Sequence, residues 1–252
     1  MTATKNTRCF LKKIFYMFFK DEKIYSDEVF EDRLLGEQVD RIDGTMLNNT
    51  IMVEVEDFIN SSIKAGDLSL WADNTYQPHE FVVRHGTVVN QPTKLVFWED
   101  DEINGIRWRT ELQTQIGDEV WFFGMGAHAA EKLIFEGRKF ILLNYSDLYV
   151  AKRGDEVICL NGNILLEPLF NHFKALSYEK KDLDRLYAKV SYTGLKNTEY
   201  AESFRYDDDI PVGSTAIMSG DPYRYLELDP YFDFDGKKYI VAQNYETRGW
   251  LG

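Results

Sequence analysis

Few residues of this chain have the types and spacing that metal binding requires. The four histidines are His79, His85, His128 and His172. His79 and His85 are six residues apart. That spacing suits neither neighbouring positions on one strand face nor the His-x-x-x-His pattern of a helical zinc site. We therefore expect no metal site.

The cysteines offer no catalytic chemistry either. Two occur, Cys9 and Cys159, which is too few for a disulfide framework and predicts a reducing, cytoplasmic compartment. Cys159 lies in the apolar run 157–160 without a neighbouring base, so we interpret it as buried and inert. No other nucleophile is paired with a base. The sequence predicts a protein that is not an enzyme and needs no cofactor.

Composition and charge exclude further classes. The chain has 252 residues, and 42 acidic against 29 basic side chains give a formal net charge of −13. That length fits one large domain or two of ordinary size. A general nucleic-acid binder is not expected, because such affinity comes from neutralising phosphates with Lys and Arg. No apolar run reaches the roughly 18–20 residues of a membrane-spanning helix, so we expect no membrane span.

The elements that would position any site occur twice along the chain. Three sequence blocks recur in the same order, which predicts two copies of one domain. We call them the first repeat (45–153) and the second repeat (156–252); they are joined at 153–155 and preceded by an N-terminal extension (1–44). The matching blocks are 47–54 (LNNTIMVE) with 160–167 (LNGNILLE), 113 apart; 116–120 (IGDEV) with 212–216 (VGSTA), 96 apart; and 135–142 (FEGRKFIL) with 234–241 (FDGKKYIV), 99 apart.

The recurring blocks have the pattern of β structure. A Gly between two β-prone runs predicts a tight hairpin at 135–140 and again at 234–239. Many short strands and few helical stretches predict a mainly all-β chain with one small barrel per repeat. Helix is expected only around 176–186 and in the extension. The extension is interpreted either as an amphipathic helix packed on the protein or as a docking helix for a partner or membrane surface.

This order of elements resembles the GroES-like co-chaperonins, the ring-forming lids of GroEL-type chaperonins. The resemblance covers about four fifths of the chain, and the second repeat is the more diverged. It implies two tandem GroES-like small β-barrels. The residues that carry it are 50–56 (TIMVEVE), 86–89 (GTVV), a hairpin 98–105 ending in Asn-Gly, 116–120 (IGDEV) and 132–148 ending in Ser-Asp-Leu.

The resemblance also implies a docking loop after the first strand. In the family this mobile loop carries a short apolar tripeptide that binds between two helices of the chaperonin's apical domain. The matching residues here are Ala65, Gly66, Leu68, Ser69 and Leu70, with Ser69 in place of the middle aliphatic residue. The alternative is that Leu68, Leu70 and Trp71 form an ordinary core strand. The corresponding stretch of the second repeat, 170–187, has no clear triplet, so we expect docking by the first repeat alone.

The family forms rings by pairing the first and last strands of adjacent subunits. The resemblance assigns this role to strands containing Ile51, Val53, Leu148 and Val150, and so implies a homo-oligomer. The leading hypothesis is a co-chaperonin-like protein that forms a ring and caps a GroEL-type chaperonin chamber to assist protein folding. The alternative is a structural assembly protein, for example a viral one, that keeps the barrel without chaperonin binding. A third hypothesis is a ligand-binding barrel that uses the five tryptophans.

Overall fold

A computed structural model describes residues 36–65, 68–71, 81–97, 110–168, 187–195, 210–218, 231–234 and 236–252. These residues are mainly β structure, in an eight-stranded sheet, a six-stranded sheet and a separate two-stranded hairpin. The prediction of a mainly all-β chain is confirmed. The predictions for residues 1–35, the hairpin tip at 98–105 and the helix at 176–186 lie outside the described residues.

Sixteen strands and one short α-helix lie within the described residues. In chain order they are β1 (Glu37–Gln38), β2 (Thr50–Val55), β3 (Ser62–Ala65), β4 (Leu68–Trp71), β5 (His85–Asn90), β6 (Glu119–Phe122), α1 (Gly124–Ala129), β7 (Glu131–Phe135), β8 (Arg138–Asn144), β9 (Leu148–Arg153), β10 (Glu156–Cys159), β11 (Asn163–Pro168), β12 (Tyr187–Tyr192), β13 (Thr215–Met218), β14 (Tyr231–Phe234), β15 (Lys237–Gln243) and β16 (Thr247–Leu251). Short 3-10 turns at Tyr145–Asp147 and Asn244–Glu246 precede β9 and β16.

The second sheet repeats the strand order of the first. The run β7-β8-β2-β5-β6-β9 of the eight-stranded sheet matches the whole order β14-β15-β11-β12-β13-β16. The register of the strands matches too. In the first sheet Phe122 lies opposite Leu148, and in the second Met218 lies opposite Thr247; in both sheets this pair comes directly after a bulge. These positions are related by the 96- and 99-residue spacings of the sequence blocks. The repeated sequence therefore folds into a repeated topology.

Glycines with positive φ mark equivalent turns in both sheets. Gly137 (φ +78°) and Gly236 (φ +70°) lie in the β7–β8 and β14–β15 turns, where the sequence predicts tight hairpins. Gly117 (φ +95°) and Gly213 (φ +90°) precede β6 and β13. A side chain at these positions would be strained. The same local conformations therefore recur at the same places in the repeat.

Strand pairing closes neither sheet within the described residues, which support the mainly all-β class but not the finer prediction of one small barrel per repeat. Both sheets are open ladders. In the first sheet, one further strand is added at each end of the six-strand run that the two sheets share. The two ends of the run therefore do not pair with each other. β1 pairs in parallel with β7, and β10 pairs with β9 through the tight turn at Gly154. The predicted start of the second repeat, Glu156–Cys159, thus completes the first sheet.

Each sheet has its own apolar core, and a third cluster joins them. The first core includes Ile51, Val53, Val120, Phe122, Ile141, Leu148 and Leu160, and the second includes Ile164, Leu166, Val190, Ala216 and Ile240. The joining cluster consists of Tyr149, Val150 and Cys159 with Leu165, Tyr239 and Val241. The two sheets therefore pack against one another through a continuous apolar layer.

One buried ion pair gives a first prediction. The carboxylate of Asp118 is buried and accepts bonds from Arg153 Nε (2.9 Å), Arg153 Nη2 (2.7 Å) and the Gln115 amide (2.8 Å). Replacing Arg153 by methionine leaves this buried carboxylate without its cation, and should lower the free energy of unfolding by about 1–3 kcal/mol. Urea denaturation measures the change.

The matched control for that variant is Arg138→Met. Arg138 binds Glu54 with similar geometry (Nε to Oε1, 2.7 Å), but this pair is exposed to solvent. Exposed pairs contribute little to stability, so Arg138→Met should leave the urea midpoint nearly unchanged. If both variants lowered the urea midpoint equally, burial of Asp118 would not determine how much its ion pair contributes to stability.

Candidate partner-docking site

The chain leaves the first sheet after β2 through a narrow neck anchored in the core. Phe58 and Val82 are buried there. The Asn60 amide donates to the Phe81 carbonyl at 2.6 Å, and the Val83 amide donates to the Phe58 carbonyl at 3.2 Å. These bonds therefore hold together the two chain segments on either side of 61–80.

Beyond this neck lies a hairpin formed by β3 and β4, which we call the docking hairpin. The two strands pair antiparallel, from Ser62 with Trp71 to Ala65 with Leu68. In the described part of the chain they form a sheet of their own, separate from both large sheets. Of the predicted docking residues, Ala65 ends β3 and three lie on β4 (Leu68, Ser69, Leu70), while Gly66 lies outside the described residues.

The docking hairpin exposes three large apolar side chains. Leu68 is 67% exposed, Leu70 is 53% exposed and Trp71 is 77% exposed. Leu68 and Leu70 do lie on a strand, but their side chains are exposed and belong to no core cluster in the described part of the chain. Because successive side chains of a strand point to opposite faces, Leu68 and Leu70 share one face and Ser69 points to the other. The serine that interrupts the triplet in sequence does not interrupt the leucine face.

The residues assigned to subunit pairing have a different environment. Ile51 and Val53 on β2 and Leu148 and Val150 on β9 are fully buried. β2 lies between β5 and β8, and β9 lies between β6 and β10. An intermolecular ladder needs a free strand edge, and neither strand has one within this chain.

Sequence reasoning missed a difference between the ends of the two sheets. β9 has β10 on its outer side, but its counterpart β16 ends the six-stranded order, with no strand beyond it among the described residues. Trp250 and Leu251 on β16 are exposed. The repeat itself could have predicted this difference, because it relates β16 to β9.

Sequence reasoning also did not predict a cleft on the first sheet. A cavity of about 590 Å³ is lined by residues that include Glu54, Glu56, His85 and Trp121. The rings of His85 and Trp121 lie 4.5 Å apart between centroids, and burial lowers the pKa of His85. These residues come from three separate strands or strand ends, so no sequence motif unites them. An aromatic wall with carboxylates could accept a small polar ligand.

The described residues hold no group of three or more His, Cys, Asp or Glu side chains placed to bind a metal ion. Across the same residues, no helix is both long and apolar enough to cross a membrane. Neither a comparison with protein-family models nor one with curated proteins found a match. The docking hairpin and the β16 edge are therefore interpreted from their geometry.

The environment of Cys159 gives a second prediction. The thiol is fully buried, and burial raises its pKa to about 12 from an ordinary value of 9.0. The thiolate fraction falls about a thousandfold for such a shift. Iodoacetamide at pH 8 should therefore leave Cys159 unmodified in the folded protein and modify it fully in urea, as measured by peptide mass spectrometry. Rapid modification without urea would contradict a sealed junction between the two sheets.

Proposed function

We propose that this protein is a co-chaperonin-like ring protein that binds a GroEL-type chaperonin through the docking hairpin and caps its folding chamber. The observation that supports this most directly is the exposure of Leu68, Leu70 and Trp71 on a hairpin held at a fixed neck. Exposed apolar groups that stand together mark interaction sites. In chain order the hairpin also lies between β2 and β5, after the first strand of the first repeat, where the GroES-like family has its loop.

The chemistry of docking is burial of the leucine face in an apolar groove. Leu68 and Leu70 project from the same side of β4 and are about 7 Å apart by the rise of a strand, so both can enter one groove between two helices. Burying each leucine is worth about 1.5–3 kcal/mol before the cost of ordering the loop. A single hairpin therefore binds weakly, and several identical hairpins on one ring supply the affinity together.

The fold supports the same proposal at a coarser level. We propose that the two matching six-stranded sheets are diverged GroES-like units with open edges. The hairpin belongs to the first unit alone, because the corresponding stretch of the second repeat has no apolar triplet. A cytoplasmic protein with one docking element per chain follows from this proposal.

A binding assay with a purified GroEL-type chaperonin tests the proposal. The full chain and the chaperonin are mixed with and without ATP and separated by gel filtration. We expect the protein to elute with the chaperonin when nucleotide is present, and to support refolding of a chaperonin-dependent client enzyme. Absence of the complex, with self-assembly retained, would overturn the proposal and favour the structural assembly protein.

A further inference from the structure

The cleft on the first sheet lies on the face that is turned away from the first core. Successive side chains of a strand point to opposite faces. Val88 on β5 and Val120 on β6 are fully buried in the first core, so Thr87, His85 and Trp121 point to the other face. Its volume of about 590 Å³ is within the range of about 300–1,000 Å³ that ligand pockets have.

Strand pairing aligns the side chains of this outer face in two rows. In the second row His85 lies opposite Trp121, and the register of β2 with β5 brings Glu56 toward His85. The aromatic pair therefore lies beside a row of polar side chains. That first row crosses four strands in the order Glu54, Thr87, Glu119 and Lys152.

The aromatic pair forms one wall of the cleft. The ring centroids of His85 and Trp121 lie 4.5 Å apart and the rings are tilted by 40°, so no ligand lies between them. Trp121 also packs against the joining cluster, which fixes the position of the wall. Such a wall suits a ligand that packs C–H groups on one side and keeps its polar groups on the other.

Two carboxylates in or beside the cleft are already paired with cations. Glu54 accepts a hydrogen bond from Arg138 Nε at 2.7 Å, and this bond lowers the pKa of Glu54. Lys152 Nζ lies 3.5 Å from Glu119 Oε2. A carboxylate has about four acceptor positions, so a paired one still accepts hydrogen bonds from hydroxyl groups without needing a cationic ligand.

The remaining charges of the wall also balance. Arg84 and Glu56 both line the cleft; the guanidinium of Arg84 lies against Gly124 at the start of α1, and Glu56 is exposed without an ion pair to another described residue. Loss of hydration lowers the pKa of His85, so its imidazole is neutral at pH 7. Because cations and carboxylates are equal in number, the cleft favours neither an anion nor a cation.

We propose that this cleft binds a neutral sugar of one or two rings, which packs against His85 and Trp121. A pyranose has C–H groups on its faces and hydroxyls around its rim, which matches an aromatic wall beside a polar row. The carboxylate of Glu56 accepts hydrogen bonds from these hydroxyls, and the side chains of Thr87 and Asn60 both donate and accept. Sugar binding does not depend on chaperonin binding.

A sugar in the cleft also contacts the neck of the docking hairpin. Asn60 and Val83 line the cleft, and their amides make the two hydrogen bonds that hold the neck together. A bound ligand shields these bonds and opposes their opening. Hydrogen exchange at the neck should therefore become slower when a sugar is bound.

Saturation-transfer NMR on the full chain at pH 7 tests the proposal, with N-acetylglucosamine, galactose, mannose and maltose as neutral probes. A single ring should bind with a Kd of about 1 mM, as expected for so small a ligand. Glucosamine and galacturonate are the matched charged probes, and each should bind about tenfold more weakly because its charge has no counterion in the cleft. No binding of a neutral probe, or tighter binding of a charged one, would overturn the proposal.

Two variants and one exchange measurement locate the sugar. Glu56→Ala removes an acceptor and His85→Ala removes part of the wall, and each should weaken binding about tenfold or more. Glu131→Ala is the matched control, because Glu131 is also exposed at a strand end but does not line the cleft. It should bind like the wild-type protein.

Hydrogen exchange followed by mass spectrometry should show slower exchange in wild-type peptides covering 54–60 and 83–87 at saturating sugar. If a variant does not fold, this measurement decides for the wild-type protein alone. Unchanged exchange in both peptides, or wild-type affinity in folded Glu56→Ala and His85→Ala, would place the sugar elsewhere and overturn the proposal.

Discussion

Replacing Leu68 and Leu70 together by aspartate is expected to abolish chaperonin binding without changing folding stability. Burial of both leucines supplies about 3–6 kcal/mol per hairpin before ordering costs, so their loss weakens each contact by about 10²–10⁴-fold. Because both side chains are exposed in the folded chain, the charges remain in water, and the free energy of unfolding should change by less than about 0.5 kcal/mol. Gel filtration with the chaperonin and urea denaturation measure the two quantities.

The matched control is Ile116→Asp combined with Val212→Asp. These aliphatic side chains are similarly exposed, at 67% and 62%, but lie on turns away from the docking hairpin. The control should bind the chaperonin like the wild-type protein. Retained binding by the leucine variant would show that the hairpin is not the docking element, and unfolding of that variant would show that its leucines are part of a core.

Replacing Leu160 by alanine should cost about 2–5 kcal/mol of stability. The side chain is fully buried in the first core, and removing such a leucine loses its transfer free energy and leaves a cavity. Urea denaturation with tryptophan fluorescence measures the loss. Val212→Ala, at an exposed position of the second repeat, should change stability by less than about 0.5 kcal/mol.

The outcome for Leu160 bears on how the repeats are joined. A loss confined to the first sheet would be consistent with Leu160 acting as a residue of the first core, although its sequence belongs to the second repeat. An unchanged urea midpoint would contradict this packing.

The parts of the fold that could be predicted from sequence are those fixed by local patterns. The hairpins at Gly137 and Gly236 follow from a glycine between β-prone runs, and the repeated topology follows from three blocks at constant spacing. Strand neighbours could not be predicted in the same way. The sequence of an apolar strand such as β2 is the same whether its edges pair within the chain or with another molecule. Its pairing partner is distant in sequence, so the local pattern does not identify that partner.

The solvent exposure of the leucines in the candidate site could not be predicted from the sequence either. Leu68 and Leu160 are both leucines next to β-prone residues, yet one is exposed and the other fully buried. The difference arises because the neck at Phe58 and Val82 holds the docking hairpin outside the first sheet, whereas β10 carries Leu160 onto it. Both are consequences of tertiary packing, which composition and periodicity do not encode.

The position of Leu160 also sets a limit on folding during synthesis. Domains generally fold from the N-terminus as the chain is made. Here the first core stays incomplete until β10 and Leu160 have left the ribosome. Until then, the outer edge of β9 lacks the strand that covers it in the finished chain. The edge of β9 in a nascent first repeat is therefore open to pairing with other strands, and the emergence of β10 closes it with a tethered strand at far higher effective concentration.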